Sequence, residues 1–359
     1  MNIVKATRRY EAWLAGYTRL IHRDLERKHA AMAADPFYFL RATFYRWMQQ
    51  WTEVCLECLK APKLLAVGDL HLENFGTWRD IEGRLVWGIN DFDEACRLPY
   101  TVDLVRLAAS AHLAIKGAHL TIGARDACVA ILDGYQDGLA SGGRAFVLEE
   151  HHAWLRDTVT GVLREPRRYW ARLDALATEA HVPAGALKAI EKLMPARGLS
   201  HRIVHRVAGL GSLGRERYLA LAEFEGGKIA REAKALVPSA AGWALDGKSA
   251  AIYYDEILGR AVRSVDPFVH MKGRWIVRRL APHCSRVELT DMPKQRDESR
   301  LLRCMGFETA NVHLGTPKAA KAALADLRGR PPHWLHRASL RMVDATLHDW
   351  EDWRSHWCP

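Results

Sequence analysis

The chain is most constrained between residues 64 and 94, where two short apolar runs each deliver acidic side chains into a turn. Residues 64–67 (LLAV) lead into GDLHLENFG, which sets His71 two residues and Asn74 five residues after Asp69. A second run, RLVWGI, follows a Glu82-Gly83 turn and ends in NDFDEA, with Asp91, Asp93 and Glu94. Short apolar runs bounded by turn residues read as strands, and these two are expected to form a hairpin.

Phosphoryl transfer from ATP asks a protein for a carboxylate that orients the acceptor hydroxyl, an amide oxygen and a second carboxylate for magnesium, a lysine for the phosphates, and glycines that let backbone approach them. Asp69 and Asn74 suit the first two tasks, at the aspartate-to-asparagine offset of the kinase catalytic loop. Asp91, after a strand, suits the metal carboxylate, with Asp93 and Glu94 beside it. The competing reading is that Asp69, His71 and Asn74 only cap a turn, a common use of Asp and Asn.

GDLHLENFG, INDFDEA and PYTVDLVRLAAS together resemble the DUF2252 family of bacterial proteins, grouped with the protein kinase-like and aminoglycoside phosphotransferase superfamily. KHAAMAADPFYFLRATF, GLGSLGRERYLAL, KALVPS and GRWIVRRL extend the resemblance along most of the chain. It implies Asp69 as the base-like aspartate, Asn74 and Asp91 as magnesium ligands, Asp103 as a carboxylate bracing the loop and His71 as a loop buttress. Val67 stands where the H-G-D form of the phosphotransferases has histidine, so the loop's hydrogen bonding must differ from theirs.

GLGSLGRERY contains Gly209, Gly211, Ser212 and Gly214 in a G-x-G-x-x-G pattern. A dinucleotide fold would continue into a helix, whereas a strand, a Glu225-Gly226-Gly227 turn and a second strand follow, as after a kinase glycine loop. Lys234, on the second of these strands, is the candidate phosphate ligand, with Lys228 as rival. Glu256, on a helix expected around residues 253–265, is the candidate partner of Lys234, and backbone near residues 278–281 would hold adenine. Glycine loop and lysine come after the catalytic loop, the reverse of the kinase order. The fold expected is therefore α+β, a kinase-like two-lobed architecture in circularly permuted form, with a large helical lobe and a small antiparallel sheet. Its parts are residues 1–199 with the catalytic loop and metal-binding hairpin, 200–285 with the glycine turn and lysine, and 286–359 as helices completing the large lobe. Compact domains with neighbouring termini tolerate such rearrangement.

The remaining composition narrows the choice. Seven cysteines thinly spread over 359 residues argue against a secreted disulfide framework. Cys55 and Cys58 form a C-x-x-C with no second pair, and read as apolar helix positions. No apolar run is long enough for a bilayer, and no charged-then-apolar leader opens the sequence; a cytoplasmic protein with no membrane partner is expected. A formal charge of +10 favours an anionic partner. ATP with magnesium, and an acceptor the sequence does not identify, are the partners of the leading reading. Transfer of AMP and a catalytically silent nucleotide-binding scaffold are its alternatives. Nucleic acid is disfavoured because the basic stretches are scattered, and Val343, Leu347, Trp350, Trp353 and Trp357 read as one packed helix stripe rather than a stacking platform.

Overall fold

The computed structural model describes residues 1–149, 152–160, 165–245, 247, 250–284 and 286–357. Four helices open the chain: α1 (Ile3–Leu14), α2 (His22–Ala34), α3 (Pro36–Ala42) and α4 (Phe44–Val54). The α2–α3 break is written locally. Asp35 Oδ1 accepts from Phe37 N (2.8 Å) and Tyr38 N (3.1 Å), and Pro36 takes the first helical position, where a missing N–H costs nothing.

Four short strands follow: β1 (Lys63–Ala66), β2 (Phe75–Arg79), β3 (Leu85–Ile89) and β4 (Cys96–Pro99). The expected hairpin between the two apolar runs is not formed. β3 pairs with β2, Phe75 opposite Ile89, while β1 pairs with β4, Lys63 opposite Pro99. The reason is the turn. Asp80 Oδ1 accepts from Glu82 N and Arg84 N, and Gly83 adopts φ +75°, so the chain closes on the residues just before it.

Helices α5 (Thr101–Lys116) and α6 (Ala124–Ser141) come next, then β5 (Phe146–Val147), which adds to β3, and helices α7 (Ala153–Val159), α8 (Pro166–Asp174) and α9 (Ala184–Glu191). Strands β6 (Arg202–His205), β7 (Arg217–Phe224) and β8 (Gly227–Ala235) follow, then α10 (Ala240–Leu245), α11 (Tyr254–Arg260), β9 (His270–Lys272) and β10 (Trp275–Leu280). The helix expected over 253–265 is shorter, because Ala261 turns extended and Val262 N bonds Asn311 O at 2.9 Å. Helices α12 (Glu298–His313), α13 (Pro317–Gly329) and α14 (Trp334–Trp357) end the chain. On α14, Val343 and Trp353 are buried, and the partly exposed Trp357 stacks on Trp353.

The later strands form one antiparallel sheet in the order β6-β7-β8-β10-β9. Glu225 and Gly226, both at positive φ, make the two-residue turn between β7 and β8. Alternation then sorts the side chains. Tyr218, Ala220, Ala233, Ala235, Trp275 and Val277 pack under α9 on one face. On the other, cross-strand rows run Arg217–Lys234–Ile276, Leu219–Glu232–Arg278 and Leu221–Ala230–Leu280. The sheet thus offers a charged end and an apolar end on one surface. The main core joins the helices of both chain ends with α10 and α11. Among the described residues no helix is long and apolar enough to cross a membrane.

Candidate functional site

The loop after β1 is fastened by successive turns of α5. Asp103, fully buried, accepts from Val67 N (2.7 Å) and Gly68 N (2.8 Å) and from His313 Nε2 (2.9 Å), whose Nδ1 meets Tyr135 Oη at 2.7 Å. The backbone amide of Val67 is thus engaged by a carboxylate from another element. One turn further along α5, Arg106 donates from Nε to Asp69 Oδ1 (2.7 Å) and from Nη2 to Leu40 O. Ser110 Oγ accepts from Leu72 N at 3.1 Å. Gly68 sits at φ +85°, and a Cβ there would fall 2.3 Å from Glu94 O, so only glycine fits the bend.

His71 lines the cleft, but its Nδ1 accepts from Glu73 N at 3.2 Å. Burial first, then Arg41 and Arg106, hold its pKa well below the ordinary value. The buried imidazole caps the turn of its own loop, the place of the expected buttress. Asn74 is buried with Oδ1 unpartnered, and the hairpin register sets it beside Asn90, whose N–H donates to Asn74 O at 3.0 Å. This brings an amide oxygen next to Asp91. Burial alone would raise the Asp91 carboxyl, but Lys234 and then Arg278 hold it below the usual carboxylate range. It is therefore ionised and still partly exposed. Asp93 lies deeper, 2.6 Å from Lys234 Nζ and 3.6 Å from Arg215 Nη1. Burial and then the neighbouring Asp91 push its pKa up. Glu94 is bound by Arg215 Nη2 (2.9 Å) and Ala240 N (2.6 Å).

The glycine turn closes on the same place. Gly209 and Gly214 take positive φ, and Gly209, Gly211 and Ser212 line the cleft with Asp69, Asn74, Asp91 and Asp93. A Cβ on Gly211 would stand 3.4 Å from Asp69 Oδ2, the oxygen that Arg106 leaves open. Ser212 Oγ bridges the turn, donating to Gly209 O and accepting from Arg217 Nη2 at 2.8 Å. Lys28 Nζ donates to Gly211 O (3.2 Å), and Ile21 N bonds Gly214 O (2.9 Å).

Lys234 is buried on β8 with Asp91 and Asp93 as partners. Glu256 is not among them: it pairs with Arg97 (2.8 Å) and Arg260 (3.2 Å) on the outer side of α11. The rival Lys228 pairs with Asp174 at the far end of the strand. Residues that sequence reasoning passed over complete the walls. Glu232, fully buried, takes Arg206 (2.5 Å), Arg217 (3.0 Å) and Arg278 (2.9 Å). Arg41 pairs with Glu73 at 2.5 Å, and Arg286 also lines the cleft. The three-residue step from Asp103 to Arg106 was a readable sign that both face the loop; His313, Arg41 and Arg286 carried none.

The cleft encloses about 50 Å³. It shares Asp91, Gly209 and Arg286 with a cavity of about 480 Å³, walled by Arg217, Arg278 and Leu280 of the sheet and by Tyr169 and Arg172 of α8. Cys55 and Cys58 are buried free thiols at the end of α4 and in the turn after it.

Residues 19–181 match the family described as an uncharacterized protein conserved in bacteria (DUF2252). The match covers Asp69, Asn74, Asp91 and Asp103 and stops before the glycine turn and Lys234. No curated protein and no solved structure matches the chain.

Proposed function

We propose that the chain is an ATP- and magnesium-dependent phosphotransferase that moves the γ-phosphoryl group directly to an acceptor hydroxyl, on a permuted kinase-like scaffold. The observation that carries this reading is the meeting of Asp69, Asn74 and Asp91 with the glycine turn at one cleft, with Lys234 paired to Asp91 and Asp93 behind its wall. The glycine turn joins the first two strands of a five-stranded sheet and the lysine lies on the third, the kinase placement of these parts. The small cleft suits a metal ion and a terminal phosphoryl group. The adjoining 480 Å³ falls in the size range of ligand pockets and suits base and ribose, with Leu280 and Tyr169 as apolar surface.

Magnesium takes hard oxygen donors, and the unpartnered Asn74 Oδ1 and the ionised Asp91 carboxylate supply them. When bound, the ion would neutralise charge on the transferring phosphates. Asp69, with Oδ1 fixed by Arg106, would accept the acceptor's proton at Oδ2. Arg106 keeps that oxygen aimed, and burial, which raises the Asp69 pKa against Arg106, makes the carboxylate a better base. Lys234 would bind phosphate oxygens while Asp93 holds its ammonium in place. Arg217 and Arg286 add positive charge where phosphates would lie.

The test is thermal unfolding with ATP, with and without magnesium, on wild type and Asp91→Ala. Magnesium-dependent stabilisation of a few degrees, absent from the variant, is expected. Absence of any ATP response in both proteins refutes the reading. Mass spectrometry of the products separates phosphoryl from adenylyl transfer.

A further inference from the structure

We propose that His112 of α5, Cys128 of α6 and His336 of α14 form a site for a zinc-class divalent cation, remote in role from the cleft. Cys128 Sγ lies 3.5 Å from His112 Nε2 and 4.0 Å from His336 Nδ1, and the ligand atoms all fall within 4.8 Å of one another. Tetrahedral zinc, with Zn–S about 2.3 Å and Zn–N about 2.0 Å, sets sulfur-to-nitrogen separations of about 3.5 Å. The Cys128–His112 separation already matches, the Cys128–His336 separation needs to shorten by about half an ångström, and the two imidazole nitrogens would close from within 4.8 Å toward the roughly 3.3 Å that tetrahedral zinc sets. Ser339 Oγ lies beside the ligands, 2.9 Å from His112 Nε2 and 3.8 Å from Cys128 Sγ. Its hydroxyl reaches both Leu335 O (2.8 Å) and His336 O (3.1 Å), and on metal binding the His112 ring would carry its proton on Nδ1, leaving Nε2 to the ion.

The donor set selects the metal. One thiolate and two imidazoles favour zinc or cobalt over magnesium, so this site and the cleft would not compete for one ion. On binding, two Zn–N bonds and one Zn–S bond replace metal-bound waters, and the ion displaces to solvent the proton of the Cys128 thiol, whose pKa burial pushes up to about 12. The imidazoles enter neutral. Burial, then His336, lowers the His112 pKa to about 4, and burial with Arg125 and His333 lowers that of His336. His112 and Cys128 are buried, while His336 is only partly so and opens the site to solvent. A bound ion would tie together the three helices that supply the ligands. One of them, α5, carries Asp103, Arg106 and Ser110, so the ion would steady the loop from behind.

The experiment is titration of the metal-stripped full chain with Zn²⁺, and with Co²⁺ as a spectroscopic probe. Expected are one equivalent bound, a thiolate-to-cobalt charge-transfer band and a higher Tm. Cys128→Ser should abolish the band, and His336→Gln, at the partly exposed position, should weaken binding by at least about tenfold while leaving the far-ultraviolet dichroism unchanged. Cys55→Ser, the control for the other thiol pair, should change nothing. The proposal is overturned by no charge-transfer band in wild type, by undiminished affinity in His336→Gln, or by binding that responds to Cys55→Ser instead.

Discussion

Asp103 and Glu232 are both fully buried carboxylates, one behind the loop that carries Asp69 and the other behind the arginines of the adjoining cavity, yet they hold these parts by different means. Asp103 spends its oxygens on two backbone amides and one histidine, so the loop it holds is set by directional hydrogen bonds from α5 and α12. Glu232 instead binds three arginines, two of its own sheet and Arg206 from the stretch leading to the glycine turn, and its row ends beside Lys234. One wall is placed by geometry and presents oxygen donors; the other is placed by charge and presents cations. A metal-bound polyphosphate is the kind of ligand that needs both.

Removing each fastening separates the two. Asp103→Ala leaves buried amides and His313 without an acceptor and should destabilise the fold by about 3–5 kcal/mol, read as a lower denaturant midpoint with an unchanged slope. Glu232→Gln should cost about 2–3 kcal/mol at neutral pH. Its pH dependence is specific. Burial raises the Glu232 carboxyl, but Arg217, Arg278 and Arg206 hold it well below its ordinary 4.5, so its contribution is complete above that value and is lost as pH falls toward the folded value. The gap between wild type and Glu232→Gln should therefore narrow below pH 4.5. A gap for Glu232→Gln that stays constant as pH falls below 4.5 would break the account of the charge-placed wall. Gly68→Ala, which sets a Cβ against Glu94 O at positive φ, should cost about 1–3 kcal/mol and lower the proposed phosphotransfer activity through the loop. Ser212→Ala removes the bridge between Arg217 and Gly209 O and should cost about 1 kcal/mol or less by thermal unfolding.

The loop wall was the more legible of the two. Asp69, Asn74 and Asp91 stand out because their spacing after apolar runs is local, and local turn chemistry also places Glu225-Gly226 between β7 and β8. What failed was non-local. A strand's composition tells that it is a strand and not which strand it meets, so β1 was joined to the wrong partner, and β2 went unread because Thr77, Trp78 and Arg79 follow the motif without an apolar run. Glu256 was assigned to Lys234 by order along the chain, but α11 turns it toward Arg97. The arginines around Glu232 give no sign in sequence, since charged residues on a strand ordinarily face water.

The three groups of α5 that grip the loop recur at residues 103, 106 and 110, one stripe about 10 Å long on a helix that rises 1.5 Å per residue. A slip of a single residue in the stripe would swing all three grips away by about 100°. Relatives that hold the loop in this way are expected to carry D-x-x-R-x-x-x-S downstream of G-D-x-H-x-x-N, and a sequence with one motif and not the other would need a different fastening for its loop.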